Sequence, residues 1–251
     1  MIRIYDGVLH LRRALEKDTS GFPLRNLWIE ALNRPPGEID IWVFDGRNNN
    51  ARRREVYPEY KANREPAAED IMAFVQLWKE LVRFTPAFSV EIAGWEADDV
   101  IGHLACRYAI QGQPVYVITR DADIRQLEQV PGIRVVTDSL KDIEPAHIRL
   151  YKATVGDSSD NIKGVPGFGA KTFESCDKAA LKDWFEAVTD EVPADLPAKV
   201  KNAMASDPAF YRSIYRIVGF LPIDPDEVTR NIVPGQNDPD TVARRLAQYL
   251  Q

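Results

Sequence analysis

Ile41-Trp42-Val43-Phe44-Asp45-Gly46 is a run of four apolar residues closed by an aspartate and a glycine. A continuous apolar run of that length, ended by turn-forming residues, reads as a strand buried on both faces, and such strands belong to parallel sheets. The same form recurs on either side, at Ile2-Arg3-Ile4-Tyr5 before Asp6 and at Val115-Tyr116-Val117-Ile118 shortly before Asp121. Residues 133–137 supply a fourth strand. Helical patterns lie between them: Ile71, Phe74, Val75, Trp78, Leu81 and Val82 recur at three- and four-residue steps within 66–84, and Val100, Ile101, Leu104, Ala105 and Tyr108 do so within 96–110. This alternation predicts an α/β fold with a central, mainly parallel sheet flanked by helices.

In a parallel sheet the carboxyl ends of the strands share one rim, so Asp6, Asp45 and Asp121 are expected to meet there. Glu96, Asp98, Asp99, Asp123, Asp157 and Asp160 extend the set to nine carboxylates with no histidine or cysteine among them. Each acid alone is an ordinary helix cap or turn residue; together they repel. Two unit charges 4 Å apart cost about 4 kcal/mol at an effective dielectric of 20, so several such pairs outweigh a typical folding stability. Divalent cations are the remedy, and oxygen-only ligands favour magnesium, manganese or calcium over zinc or copper. A pair of such ions serves phosphoryl transfer. Asp121-Ala122-Asp123, read as extended chain, places two of the acids on one side.

The chain of 251 residues has a net charge of −6, and setting aside the nine acids leaves a remainder of +3. Between residues 46 and 64 the balance is +4, from Arg47, Arg52, Arg53, Arg54, Lys61 and Arg64 against Glu55 and Glu59. Local asymmetry of this kind is the footprint of a protein that holds phosphate beside a metal site. Asn48-Asn49-Asn50 followed by arginines reads as a mobile basic loop. The absence of an 18-residue apolar run, and the interruption of the first segment by Asp6, His10, Arg12 and Arg13, point to a cytoplasmic protein. Cys106 and Cys176 lack partners at zinc-finger spacing and read as reduced packing residues. His10, His103 and His147 form no visible triad with a serine or cysteine, which argues against covalent nucleophilic catalysis of that kind and reads them as surface or satisfied core histidines.

Beyond residue 141 the texture changes to short helices and turns. Residues 145–155 read as helical, 156–169 as a glycine-bearing loop and 170–188 as a helix, so the expected organisation is an α/β core over 1–140, with a basic segment at about 46–70, and a helical part over 141–251. Glycines at 164, 167 and 169 permit close backbone approach, and Lys171 adds charge beside the next helix start, a pattern suited to a sequence-independent grip on a DNA backbone.

Val43-Phe44-Asp45-Gly46, Tyr57-Pro58-Glu59-Tyr60-Lys61-Ala62-Asn63-Arg64, Glu96-Ala97-Asp98-Asp99, Asp121-Ala122-Asp123, Gly156-Asp157-Ser158-Ser159-Asp160-Asn161 and Gly164-Val165-Pro166-Gly167-Phe168-Gly169-Ala170-Lys171 occur in the order found in the 5′ nucleases. The chain resembles that family: flap endonucleases, phage 5′-to-3′ exonucleases and the nuclease domain of bacterial DNA polymerase I. The likeness runs from Asp6 to Thr172, about two-thirds of the chain. Two departures stand out. Arg120 precedes Asp121 where relatives have a small residue, and Val8-Leu9-His10-Leu11 is only loosely like theirs.

The resemblance implies a PIN-like core with a helix-three-turn-helix at about 145–188. It implies that Asp6, Asp45, Glu96, Asp98, Asp99, Asp121, Asp123, Asp157 and Asp160 surround two Mg2+ or Mn2+ ions. Lys61 and Arg64 match catalytic basic residues at the base of an arch or clamp. Backbone carbonyls of Thr154, Val155, Lys163, Val165 and Phe168 match a potassium site. Arg52, Arg53, Arg54, Tyr60, Gly167, Gly169, Lys171 and Thr172 are the expected DNA contacts. The implied activity is hydrolysis of DNA phosphodiesters, as a 5′-to-3′ exonuclease or flap endonuclease with RNase H-like action, giving 5′-phosphate products. The implied partners are DNA with a 5′ end, flap, nick or junction, an RNA–DNA hybrid and a replication polymerase, in a bacterial or phage-infected cell. The alternatives are a non-catalytic duplex-binding replication module, which gains nothing from so many acids near a polyanion, and a different metal-dependent hydrolase acting on RNA.

Overall fold

A computed structural model describes residues 1–17, 23–32, 35–137 and 143–249. The chain forms two compact units, the first comprising Met1–Asn49, Pro66–Lys141 and Pro222–Gln251, the second Asn50–Glu65 and Asp142–Leu221.

The first unit is built on a six-stranded sheet of β1 (Ile2–Asp6), β2 (Ile39–Phe44), β3 (Phe88–Glu91), β4 (Val115–Ile118), β5 (Ile133–Val136) and β6 (Ile232–Pro234), in the order β5-β4-β1-β2-β3-β6. All neighbours pair in parallel except β3 and β6. Ile4 lies opposite both Ile41 and Val117, which brings the carboxyl ends of β1, β2 and β4 level. The strand order reverses between β1 and β4, and in open α/β sheets ligands bind outside the carboxyl ends at such a reversal. Helices α1 (Gly7–Lys17), α2 (Pro23–Leu32), α4 (Glu69–Val82), α5 (Ala97–Ile110), α11 (Pro225–Arg230) and α12 (Pro239–Tyr249) complete this unit. On one side Trp42 stacks on Tyr5 at 4.5 Å and meets the edge of Trp78 at 5.1 Å, in a cluster with Phe44, Leu81 and Val242. Each such fully buried side chain contributes about 1.5–3 kcal/mol.

Three sequence expectations are corrected here. The sheet has β3 and β6 beyond the four strands read. Residues 222–251, assigned to the helical part, return to the sheet unit because β6 pairs with β3 and because Val242 and Leu246 pack in the Trp42–Trp78 cluster. Asp121 does not start an extended segment: it caps a 3-10 helix over Ala122–Gln129.

The second unit consists of α3 (Ala51–Val56), a short 3-10 turn at Pro145–His147, α6 (Ile148–Thr154), α7 (Ala170–Ser175), α8 (Lys178–Phe185), α9 (Ala198–Ser206) and α10 (Pro208–Ile217). Its separate core includes Trp184, Phe185, Leu181, Val200, Met204, Tyr57 and Tyr60. The helix expected over 170–188 is two, since Asp177 starts a new one by accepting from the amides of Ala179 and Ala180 at 2.9 and 3.1 Å. The loop expected at 48–54 includes a helix, α3, whose docking is described below. No helix among the described residues is long and apolar enough to cross a membrane.

Candidate active site

At the sheet's carboxyl rim, Asp6 ends β1 and is almost wholly buried. Its Oδ2 accepts a hydrogen bond from Thr119 Oγ1 at 2.8 Å, and its Oδ1 accepts from the Leu9 amide at 3.3 Å, in the first turn of α1. Asp45 follows β2 and accepts from the Ala97 amide at 2.9 Å, so it caps α5 although Glu96 occupies the cap position. Gly46 makes that approach possible: a Cβ there would lie 1.8 Å from the Ile92 carbonyl oxygen. Glu96 and Asp99 are buried and Asp98 is half-buried in the opening of α5. After β4, the Asp121 amide donates to Thr119 Oγ1 at 2.9 Å, and Asp121 Oδ1 accepts from the Asp123 amide at 2.8 Å.

These contacts set Asp6 in the electrostatic field of both Asp45 and Asp121. Burial, opposed by the Thr119 hydrogen bond and reinforced by the charges of Asp45 and Asp121, pushes the Asp6 carboxyl up to about 7. A buried carboxyl surrounded by other carboxylates, all offering oxygen, fits a hard divalent cation. Among the described residues no three acidic, histidine or cysteine side chains converge on a single metal position.

Asp157 and Asp160 belong to the second unit and have a different environment. Lys152, itself buried, places Nζ 2.9 Å from Asp157 Oδ2 and 2.8 Å from Asp160 Oδ2. Arg64 Nη2 lies 2.9 Å from Asp160 Oδ1, and Lys61 Nζ lies 3.9 Å from the same oxygen. Burial pushes the Asp157 carboxyl up, but the charge of Lys152 and hydrogen bonds from Ser159 outweigh it and hold it well below the usual range. The backbones are tied as well: Arg64 Nε donates to the Ser159 carbonyl at 3.0 Å, Asn63 to that of Ser158 at 3.0 Å, and Asn161 to that of Glu59 at 2.7 Å. Thus Tyr57 to Arg64 and Ser158 to Asn161, two separate motifs in sequence, form one fastened pair of segments.

Several expected DNA contacts are spent inside this unit. Arg53 is 4% exposed and donates to the carbonyls of Ile217 at 2.9 Å and Gly219 at 3.1 Å, closing the end of α10. Tyr60 is buried, and Arg54 Nε donates to its carbonyl at 2.9 Å. Arg53 and Tyr60 are therefore structural, a correction with a plain cause: α3 docks its middle arginine inward. Arg52 and Lys171 are exposed, and Thr172 is half-buried. Gly167 has φ 87° beside the Lys199 side chain, and Gly169 precedes α7. The loop carrying Thr154, Val155, Lys163, Val165 and Phe168 is a close hairpin. Val165 N donates to Thr154 O at 2.7 Å, Phe168 N donates to Val165 O at 2.9 Å, and a Cβ at Gly164 would fall 2.5 Å from Thr154 O.

Sequence reasoning missed Thr119 and Lys152. Lys152 had a visible signal, a cation between the apolar positions Leu150 and Ala153 of a helical pattern. Thr119 had only its place, at the end of a strand and two residues before an acid.

A family model described as the 5′-3′ exonuclease, N-terminal resolvase-like domain, matches residues 24–154. The thermostable DNA polymerase I of Thermus thermophilus is 33% identical over 202 residues, which cover 76% of this chain and 24% of that protein. The 5′-3′ exonuclease of Aquifex aeolicus is 33% identical over 171 residues, covering 61% of this chain and 59% of the relative. The chain thus spans about a quarter of the polymerase it matches. Among solved structures, T5 5′-exonuclease with bound zinc aligns over 98% of each chain with TM-score 0.65 and 18% identity. The catalytic core of Rad2 in complex with a DNA substrate aligns over 98% of this chain and 86% of its own, with TM-score 0.53 and 15% identity. Both likenesses concern the fold.

Proposed function

Because this chain belongs to the 5′-3′ exonuclease family, we propose that it hydrolyses DNA phosphodiesters near a 5′ end in a divalent-cation-dependent reaction. The observation that carries the reading is the burial of Asp6 beside Asp45 and Asp121, which raises its carboxyl to about 7 at the reversal point of the sheet. Asp6, Asp45, Glu96, Asp98, Asp99, Asp121 and Asp123 would hold two Mg2+ or Mn2+ ions. When bound, such ions activate water and offset charge on the attacking and leaving oxygens. The chain's own part is to fix the carboxylates from four different connections of a rigid sheet, so that little reorganisation is needed during reaction.

In the second unit we assign DNA contact to Arg52, Gly167, Gly169, Lys171 and Thr172, with Arg54 steadying the turn at Tyr60 and Lys61. The Arg64 side chain is 52% exposed and can meet a phosphate; that of Lys61 is 10% exposed and supports Asp160 first. Asp157 and Asp160 would reach a metal only after exchanging Lys152 for it. Potassium at the carbonyls of Thr154, Val155, Lys163, Val165 and Phe168, flaps, nicks and RNA–DNA hybrids as substrates, a replication polymerase as partner and a cytoplasmic setting are parts of the same reading.

The test is to incubate the protein with 5′-labelled flap, nicked duplex, RNA–DNA hybrid and single-stranded substrates, with Mg2+ and with chelator, and to size the products. Mononucleotides report exonuclease action and an intact released flap reports junction cutting. DNA binding without Mg2+-dependent cleavage would move the assignment to a binding module.

A further inference from the structure

We infer that Thr119 is a positioning residue whose hydroxyl couples Asp6 to the Asp121–Asp123 segment and thereby sets the divalent-cation affinity of the rim. The inference rests on the metal-dependent reading of that site and adds a residue that is neither acidic nor basic. Thr119 is buried where β4 ends, its Oγ1 lying 2.8 Å from Asp6 Oδ2 and 2.9 Å from the Asp121 amide.

With Asp6 ionised, as a metal ligand must be, the direction of both bonds is fixed. The Asp121 amide can only donate, so it takes a lone pair of Oγ1, and the single hydroxyl proton of Thr119 is directed at Asp6. With the Leu9 amide on Oδ1, each oxygen of Asp6 receives one hydrogen bond and retains capacity for another partner. On the other side, holding the Asp121 amide sets the entry into the 3-10 helix, where Asp121 Oδ1 takes the Asp123 amide. One hydroxyl thus determines the orientation of a carboxylate on β1 and the start of an acidic turn after β4. Outer partners of this kind, when removed, typically cost about 10–100-fold in metal affinity.

The test compares Thr119→Val, which keeps the shape and removes the hydroxyl, with Thr119→Ser, which keeps the hydroxyl. Binding of Mn2+ to the DNA-free protein is measured by titration calorimetry, alongside the shift in thermal midpoint on adding Mg2+. Expected is about a 10–100-fold weaker Mn2+ affinity and a smaller Mg2+ shift for Thr119→Val, with Thr119→Ser within about threefold of the unmodified protein. Circular dichroism in chelator checks that both variants fold. Should Thr119→Val fail to fold, Thr119→Ala and Thr119→Cys replace it in the same titration. Equal Mn2+ affinity in the hydroxyl-free and unmodified proteins overturns the inference and leaves the metal reading intact. No Mn2+ binding by the unmodified protein overturns the metal reading itself.

Discussion

Aspartates in the two units live under opposite electrostatics. Asp6 in the sheet unit is buried, accepts from the neutral donors Thr119 and Leu9, and stands in the fields of Asp45 and Asp121, so its proton is held up to about 7. Asp157 and Asp160 in the helical unit share the buried ammonium of Lys152, with Arg64 on the far oxygen of Asp160, so Asp157 holds its charge to low pH. The contrast teaches that a motif acid is not a metal ligand by type alone. A carboxylate already paired with a buried cation contributes to folding as it stands, whereas one set against its own kind contributes only once something positive arrives.

The largest expected effect tests the paired side. Lys152→Met leaves two half-buried or buried carboxylates without their common cation, and breaking such a pair costs about 3–5 kcal/mol. Urea unfolding should register that loss, and adding Asp157→Asn and Asp160→Asn to the same chain should recover most of it. A Lys152→Met protein as stable as its parent would erase the distinction between the units.

Catalysis tests the other side. Asp121→Asn should lower Mg2+-dependent cleavage by about 10²–10³-fold, the size seen when one preorganised electrostatic group is removed, while binding of a nicked duplex in chelator changes little. Equal losses of cleavage and binding would assign Asp121 to affinity or folding and not to the chemistry.

The pH dependence sharpens the comparison further. In the unfolded chain the Asp6 carboxyl titrates near its ordinary value of about 4. Between that pH and about 7 the native protein keeps a proton that the unfolded chain has lost, so this group makes stability fall as pH rises through the window, and the penalty is complete above it. Asp6→Asn should flatten that slope. Its net gain at pH 8 in chelator is on the order of 1 kcal/mol, because the amide also sacrifices one of the two acceptor positions used by Leu9 and Thr119. Thermal melts at pH 5 and pH 8, each with and without Mg2+, measure this; a parent slope of the opposite sign would show that Asp6 is ionised and compensated.

What the sequence made legible follows from periodicity. β1, β2 and β4 are short apolar runs ending near acids, and the helices α4 and α5 show their buried faces at three- and four-residue steps. β3 escaped because Phe88-Ser89-Val90-Glu91 carries polar residues at alternate positions and lacks the continuous apolar run of β2, and β6 because three residues ending in Pro234 acquire strand form only by pairing with β3. The acids of the rim could be read because strand ends carry their own address. The pairing of Lys152 with Asp157 and Asp160 could not, since it depends on how a helix turns its one buried cation toward a loop.

The same division between inward and outward charge runs through the three arginines of α3, where residue type alone gives no hint of it. Arg52 is exposed, while Arg53 closes the carbonyls of Ile217 and Gly219. A phosphate contact releases counterions, adding about 0.9 to the slope of log affinity against log salt, which is a change of roughly three- to fourfold between 50 and 200 mM. Arg52→Ala should therefore reduce the slope for duplex binding by about 0.9 and leave the unfolding midpoint nearly unchanged. Arg53→Ala should do the reverse, costing about 1–3 kcal/mol of stability as two carbonyls lose their donor, with the salt slope preserved in the folded protein at low temperature. Fluorescence anisotropy over a salt series, paired with a thermal melt for each variant, separates the two. If Arg53→Ala flattened the slope while keeping its midpoint, its guanidinium would leave α10 to meet DNA, and the inward docking of α3 would describe only the unbound protein.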